Sequence, residues 1–175
     1  MPCIVRWPGH VPADSESGEM WMTIDLLPTI ARLTGAALPE RTIDGLDVWP
    51  LISGAAGAKN PHEGYFFYYA QNELQAVTSG NWKLILPHHF PSFAGRTGRN
   101  DGKPTSYERT TVSAPELYDL AADREEKHNV AAAHPEIIER LEVLAEKGRA
   151  ELGDSLTKRT GTGAREPGRL QAAAQ

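Results

Sequence analysis

Apolar positions recur with two different periods along the chain. Between Thr23 and Thr34, the residues Leu26, Leu27, Ile30, Ala31 and Leu33 fall at helical spacing, which predicts an amphipathic helix buried along that face. Asp25 is placed to cap its start, Pro28 lies in the first turn where a missing N–H does no harm, and Gly35 supplies the stop. A longer helix is predicted from Pro135, with His134 at its cap. Ile137, Ile138, Leu141, Leu144, Ala145 and Leu152 form its apolar face, and Glu136, Glu139, Arg140, Glu142 and Lys147 face the other way. Such a helix packs on a sheet.

The middle of the chain reads as strands. Tyr65 to Tyr69 is a β-prone aromatic run. Only alternate residues of a strand share a face, so half of these aromatics are expected in a core. Gln75 to Ser79 and Trp82 to Leu86 flank Gly80-Asn81, a two-residue hairpin turn. Leu117 to Leu120 is a fourth strand. At the start, Ile4-Val5-Arg6-Trp7 reads as a short strand ended by Pro8-Gly9, a sheet edge needing a neighbour. Residues 36–60 read as a loop with one helical turn at Trp49-Pro50-Leu51-Ile52. Pro87 to Pro115 reads as a long loop, which is unusual unless it is functional or disordered. From Thr157 the chain reads as a frayed tail.

The fold expected is α/β of the α+β kind, in two unequal parts. Residues 1–60 are the end of a larger domain. Residues 61–156 are a small domain of four antiparallel strands with one long packed helix, and residues 157–175 a disordered tail. The first part is expected to be marginally stable without its neighbouring strands.

Composition narrows the class. Hydrophobic residues make up 40% of the 175, more than a disordered chain carries. A net charge of −5 with interspersed signs gives no basic face, so nucleic acid is not expected as a partner. No apolar run approaches the roughly 20 residues of a membrane helix, and no membrane partner is expected. The single cysteine, Cys3, excludes an internal disulfide.

Several motifs stand in order: Val5-Arg6-Trp7-Pro8-Gly9; Thr23 to Ala31, containing Asp25-Leu26-Leu27-Pro28-Thr29; Ile43 to Leu51, containing Asp44-Gly45 and Asp47; Ala76 to Leu84, containing Gly80-Asn81-Trp82-Lys83; Glu116 to Leu120; and Asp123 to Val130, with Glu126 and Asn129. This ordered set resembles the C-terminal part of arylsulfatase-type sulfatases of the alkaline-phosphatase superfamily. It covers about nine-tenths of the chain. Thr78 stands where the family often has Arg, and Arg124 where it often has Pro; both read as surface or turn changes.

The resemblance implies hydrolysis of a sulfate ester on a sugar or aryl alcohol by the intact enzyme. Family members use a formylglycine made from Cys or Ser in a Cys/Ser-x-Pro-x-Arg motif, Ca²⁺ held by Asp and Asn oxygens, and a catalytic Lys. Cys3-Ile4-Val5-Arg6 does not match that motif, and no Ser-x-Pro-x-Arg occurs. The nucleophile, metal ligands and catalytic Lys are therefore expected upstream of residue 1. This chain is expected to bind no cofactor or metal itself and to be inactive alone, with the N-terminal sulfatase domain as its partner and a sulfated small molecule or glycan as the intact enzyme's substrate. Intact members of the family are usually exported. Two alternatives stand: a binding or structural module without chemistry, and a fragment of a related phosphonate or phosphodiester hydrolase.

No catalytic residue is expected in this chain. His88 and His89 follow a strand and open the long loop; the resemblance sets a Pro-His pair near the active-site mouth, which makes substrate contact one reading, His88 ahead of His89, and two exposed loop histidines without a partner the other. Asp101 with these histidines makes poor metal-ligand spacing. Asp44 and Asp47 read as turn formers and Cys3 as a small buried strand residue. Arg96, Arg99 and Lys103 make the loop locally basic, which steers anions or simply solvates the loop.

Overall fold

The computed structural model describes residues 3–93, 95–98 and 101–164. They belong to two compact units, Met1–Glu63 and Gly64–Gln175.

The first unit contains two helices, α1 (Leu26–Thr34) and α2 (Trp49–Ile52), and a 3₁₀ turn at Thr23–Asp25. Gly35 ends α1 in the left-handed region with φ 70, as its sequence predicts. Asp25 does not cap α1 with its side chain. Its carboxylate is fully buried and accepts from Met22 N at 2.8 Å, Leu46 N at 2.9 Å and His62 Nε2 at 2.8 Å. An ionised carboxylate only accepts, so each neighbour must be a donor. Asp25 thus ties three segments distant in sequence to one point. Beside it, Thr29 Oγ1 accepts from Val48 N at 3.0 Å. Gly45 lies so close to this node that a Cβ would stand 2.0 Å from the Ile24 carbonyl oxygen.

Other sequence expectations fail in this unit. Residues 4–7 form no strand among the described residues, and Cys3 is exposed instead of buried. The chain instead turns at Trp7, whose carbonyl accepts from His10 and Val11 N–H, and the Trp7 ring lies 5.2 Å from that of Trp49. No strand lies beside residues 4–7 among the described residues. Of the predicted apolar face of α1 only Ala31 is buried; Leu27 and Ile30 are 54% and 55% exposed.

The second unit is built on a four-stranded antiparallel sheet in the order β1-β2-β3-β6. Its strands are β1 (Tyr65–Tyr69), β2 (Glu73–Ser79), β3 (Trp82–Ile85) and β6 (Glu116–Asp119). Ser79 pairs Trp82 across Gly80-Asn81, and Gly80 alone of the two turns through positive φ (57), the II′ pattern. A second hairpin, β4 (His88–Ser92) with β5 (Glu108–Val112), occupies Pro87 to Pro115, which is therefore not a structureless loop.

The long helix α3 (Pro135–Leu152) covers one face of the four-stranded sheet. Leu141, Leu144 and Ala145 meet Leu74, Val77, Leu84 and Leu117, with Phe66, Tyr68, Ile137 and Ile138 packed around them. Each fully buried leucine contributes roughly 2 kcal/mol from removed apolar surface. At Gly148 the helix comes so near the sheet that a Cβ would stand 2.7 Å from the Phe66 ring. Pro135 opens the helix as predicted; the His134 side chain makes no cap bond, and its ring lies 5.0 Å from that of Trp82.

The residues after Thr157 are ordered as far as described. Two short strands, β7 (Gly153–Asp154) and β8 (Arg159–Thr160), pair with each other. Thr162 N and Gly163 N then donate to the carbonyls of Ala150 and Glu151, and Asn72 Nδ2 to that of Leu152. These are end-of-helix carbonyls that α3 itself leaves unpaired. Asp154, fully buried, accepts from Arg149 Nε at 2.9 Å and Leu156 N at 3.0 Å. The expected frayed tail is corrected for residues 157–164; residues 165–175 lie outside the described ones.

The family-like motifs of this unit act as joints. Lys83 Nζ holds both carboxylate oxygens of Glu126, at 2.7 and 2.8 Å. Asn129 Oδ1 accepts from Leu117 and Ala131 N–H, and Asp123 Oδ2 from Lys127 and His128 N–H. Arg124 is exposed as expected, but Thr78 is not a surface position: it is 1% exposed and its hydroxyl has no hydrogen-bond partner among the described residues. Thr78→Val keeps the shape and removes the stranded polar atom. Its unfolding midpoint in urea should rise, by about 1 kcal/mol in stability.

Burial pushes the hydroxyls of Tyr68 and Tyr118 up to about 12, helped by Asp154 for Tyr68 and by the bond to Glu116 for Tyr118. The unfolded chain releases these protons near pH 10. The stability they carry is therefore whole below pH 10 and lost as pH rises toward 12. Unfolding curves across that window should show the decline, and Tyr68→Phe with Tyr118→Phe should flatten it.

Candidate functional site

The hairpin β4–β5 carries both histidines singled out from the sequence. Its root is fixed by Leu86, which is buried and donates its N–H to Gln75 O at 2.8 Å, and by buried Val112. β-Branched Thr110, Thr111 and Val112 favour the second strand. Pro91 fits because a two-stranded ribbon has an unpaired side that needs no N–H.

Register and burial together define two faces. His88 pairs Val112, Phe90 pairs Thr110 and Ser92 pairs Glu108; His89 pairs Thr111 and Pro91 pairs Arg109. His88, Phe90 and Ser92 are half-buried, whereas His89, Pro91, Arg109 and Thr111 are exposed. Consecutive strand residues point to opposite sides. The two histidines therefore sit on opposite faces, and one small ligand group meets only one of them.

Their rings are held differently. His88 Nδ1 lies 2.7 Å from Leu86 O. A carbonyl only accepts, so Nδ1 carries a proton and the neutral ring offers Nε2 as its acceptor. The ring also packs 5.6 Å from Phe90. His89 Nδ1 lies 2.8 Å from Thr111 Oγ1, and a hydroxyl takes either role, so its tautomer is not fixed.

Beyond β4 and β5 the register continues to Phe93 and Tyr107, whose rings stack at 4.5 Å and 26°. With Gly98, Pro104 and Thr105 they line a pocket of about 220 Å³. Arg96 is ion-paired with Glu108 and reaches Ser106. Its charge is thus largely matched, which weakens the reading of this loop as a basic lure. Arg99 lies outside the described residues. Asp101 accepts from Lys103 N at 3.1 Å, a local turn bond. Asp47 pairs with Arg32 at 3.1 Å and accepts from Trp49 N, a structural role in the turn before α2.

The comparisons with known proteins agree with one another. The family model for the C-terminal region of aryl-sulfatase matches residues 60–166, and that for the C-terminal part of N-sulphoglucosamine sulphohydrolase matches residues 1–90. Human arylsulfatase A is 34% identical over 154 residues, covering 82% of this chain and 29% of the human protein. The N-acetylgalactosamine-6-O-sulfatase of Bacteroides thetaiotaomicron is 31% identical over 146 residues, covering 83% of this chain and 26% of that protein. A solved protein bound to its substrate D-glucosamine-2-N,6-O-disulfate superposes with a TM-score of 0.55 at 23% identity, over 83% of this chain and 27% of its own. That last likeness concerns the fold.

The chain is a sulfatase C-terminal region. It belongs to the aryl-sulfatase C-terminal family and spans less than a third of the length of the curated relatives it matches.

Sulfatases generally use Ca²⁺ and formylglycine. Such an ion needs several converging oxygen donors. Among the described residues no group of three or more His, Cys, Asp or Glu is placed to hold a metal, and the one fully buried carboxylate of the first unit, Asp25, already accepts from three N–H groups. The described residues do not fit that ion.

His62, Phe93, Arg109 and Tyr107 were not singled out from sequence. The first needed its distant contact with Asp25. The other three needed the register of a hairpin whose strands are separated by fifteen residues. Long-range ¹⁵N–¹H spectra at neutral pH should show His88 as the Nδ1–H tautomer, and Leu86 N–H protected from exchange at the hairpin root.

Proposed function

We propose that this chain is the substrate-side part of an enzyme that hydrolyses sulfate esters of sugars or aryl alcohols. The observation that carries the reading is its membership of the aryl-sulfatase C-terminal family, matched over residues 60–166. The hairpin supports it, since it presents two histidines, each with Nδ1 engaged within the chain, which leaves Nε2 to accept from a sugar hydroxyl or, when the ring is protonated, to donate to a sulfate oxygen. A protonated imidazole donates to a sulfate oxygen as a charge-assisted bond.

The rest of the sulfatase is the proposed partner of the first unit. Ile24, Leu27 and Ile30 are 46%, 54% and 55% exposed on or beside one short helix. Apolar side chains gathered in this way mark a surface that another body covers. No Cys/Ser-x-Pro-x-Arg run occurs in the 175 residues, so the formylglycine nucleophile, the calcium ligands and the catalytic Lys are assigned to that partner.

Two measurements test this. The purified 175-residue chain should not turn over 4-nitrophenyl sulfate; turnover removed by no single contaminant-control fraction overturns the assignment. In a complete sulfatase carrying this C-terminal part, of His88→Ala and His89→Ala made singly, the one on the ligand-facing side should raise KM for a sulfate ester by about tenfold, with kcat little changed, and the other should leave KM near the parent value. Unchanged KM in both variants removes the hairpin from the substrate side.

A further inference from the structure

The outer face of the hairpin carries more than His89. Extending the register of β4 and β5 by one pair places three rungs on one side: His89 with Thr111, Pro91 with Arg109, and Phe93 with Tyr107. All six residues are exposed; Phe93 is 44% and Tyr107 62% accessible. Two stacked aromatic rings left open to water, lining a pocket together with Gly98 and Pro104, are an unusual use of apolar area for a surface loop. Aromatic faces of this kind hold flat or ring-shaped ligands by stacking.

Charge on this face has one sign. Glu108 points to the other face and is ion-paired with Arg96. The Arg109 guanidinium has no acceptor among the described residues. Successive rungs on one face are two residues apart, about 7 Å along the strand. A sulfate carried on a six-membered ring lies closer to the ring than that, and the long, flexible Arg109 side chain spans the difference. Thr105, at the pocket wall, adds a hydroxyl beside the ring position, and His89 lies one rung beyond Arg109.

We propose that this outer face is a binding subsite for a flat or cyclic apolar ring bearing a sulfate: Phe93 and Tyr107 take the ring and Arg109 takes the sulfate. The ring is either an aryl group or the apolar face of a hexosamine, and the two share the chemistry required here. The proposal deepens the sulfate-ester reading by naming residues that select the ligand. It is read by binding without turnover, so its failure and that of the hydrolase reading are separable.

The test uses the full chain, its near-UV circular dichroism first matched between variants and parent. Glucosamine 6-sulfate, glucosamine, 4-nitrophenyl sulfate and 4-nitrophenol are titrated by NMR. Each sulfated probe is expected to bind at least tenfold tighter than its unsulfated counterpart, with shifts confined to residues 89–93 and 104–111. Arg109→Gln should abolish that preference and leave the unsulfated affinity unchanged. Tyr107→Ala should weaken all ring probes, and Tyr107→Phe should restore them. Arg124→Gln, another exposed arginine, should change nothing. The tighter of the two sulfated probes assigns the ring as aryl or sugar. Equal affinity for sulfated and unsulfated probes, or an Arg109→Gln variant that keeps the preference, overturns the proposal.

Discussion

Helix α3 lies on one face of the sheet β1-β2-β3-β6, and the contact is apolar. Leu141, Leu144 and Ala145 interlock with Leu74, Val77, Leu84 and Leu117, all nearly or fully buried, and Gly148 lets the helix approach the Phe66 ring. Dense packing of this kind leaves little room for a strand to slip. Because strand side chains alternate, a one-residue slip would turn every leucine outward. Register is thus fixed in β2 and β3, and through Leu86, bonded back to Gln75, it is passed to the root of the β4–β5 hairpin. The positions of His88, His89 and Arg109 are a consequence of a core that contains none of them.

What was legible from sequence is what depends on nearby residues. The periods of α3, the stop at Gly35 and the Gly80-Asn81 turn each rest on a few neighbours, and the four strands of the main sheet carry strong alternation or β-branched content. What was missed depends on distant partners. His88-His89-Phe90-Pro91-Ser92 has little strand character and becomes a strand by pairing with residues 108–112. Asp25 looks like a cap because it stands at a helix start, yet its partners are Leu46 and His62, some twenty and forty residues away. Residues 157–164 look like a tail because they are polar, but their N–H groups satisfy the end of α3. Thr78 reads as a surface residue by type and is enclosed by the sheet. The first-strand reading of residues 4–7 failed in the opposite direction: β-prone residues met a local turn and no partner strand.

The candidate site was legible in part. The Pro-His-His segment was found by its place after a strand, but a linear reading sees two adjacent histidines as one feature. The structure separates them by the period of the strand, one toward the half-buried side and one toward solvent. Their first partners differ accordingly: a backbone carbonyl that dictates the tautomer of His88, and a threonine hydroxyl that leaves His89 free to exchange roles.

The motifs that place this chain among sulfatases divide labour with the segment they surround. Asp25, Gly45, Lys83, Glu126, Asn129 and Asp123 serve as buried carboxylate node, close backbone approach, ion pair and turn acceptors. They recur as motifs because each joins segments that must meet for the fold to close, whatever the substrate. The hairpin lies between two of these motifs, Lys83-Leu84 and Glu116-Leu117, which are themselves paired in the sheet. Its ends are therefore clamped while its outer rungs are exposed. A segment held at its root and unconstrained at its tip changes side chains at little expense to stability. It explains why the family was readable from the joints, whereas the two faces of the hairpin had to be read from the register.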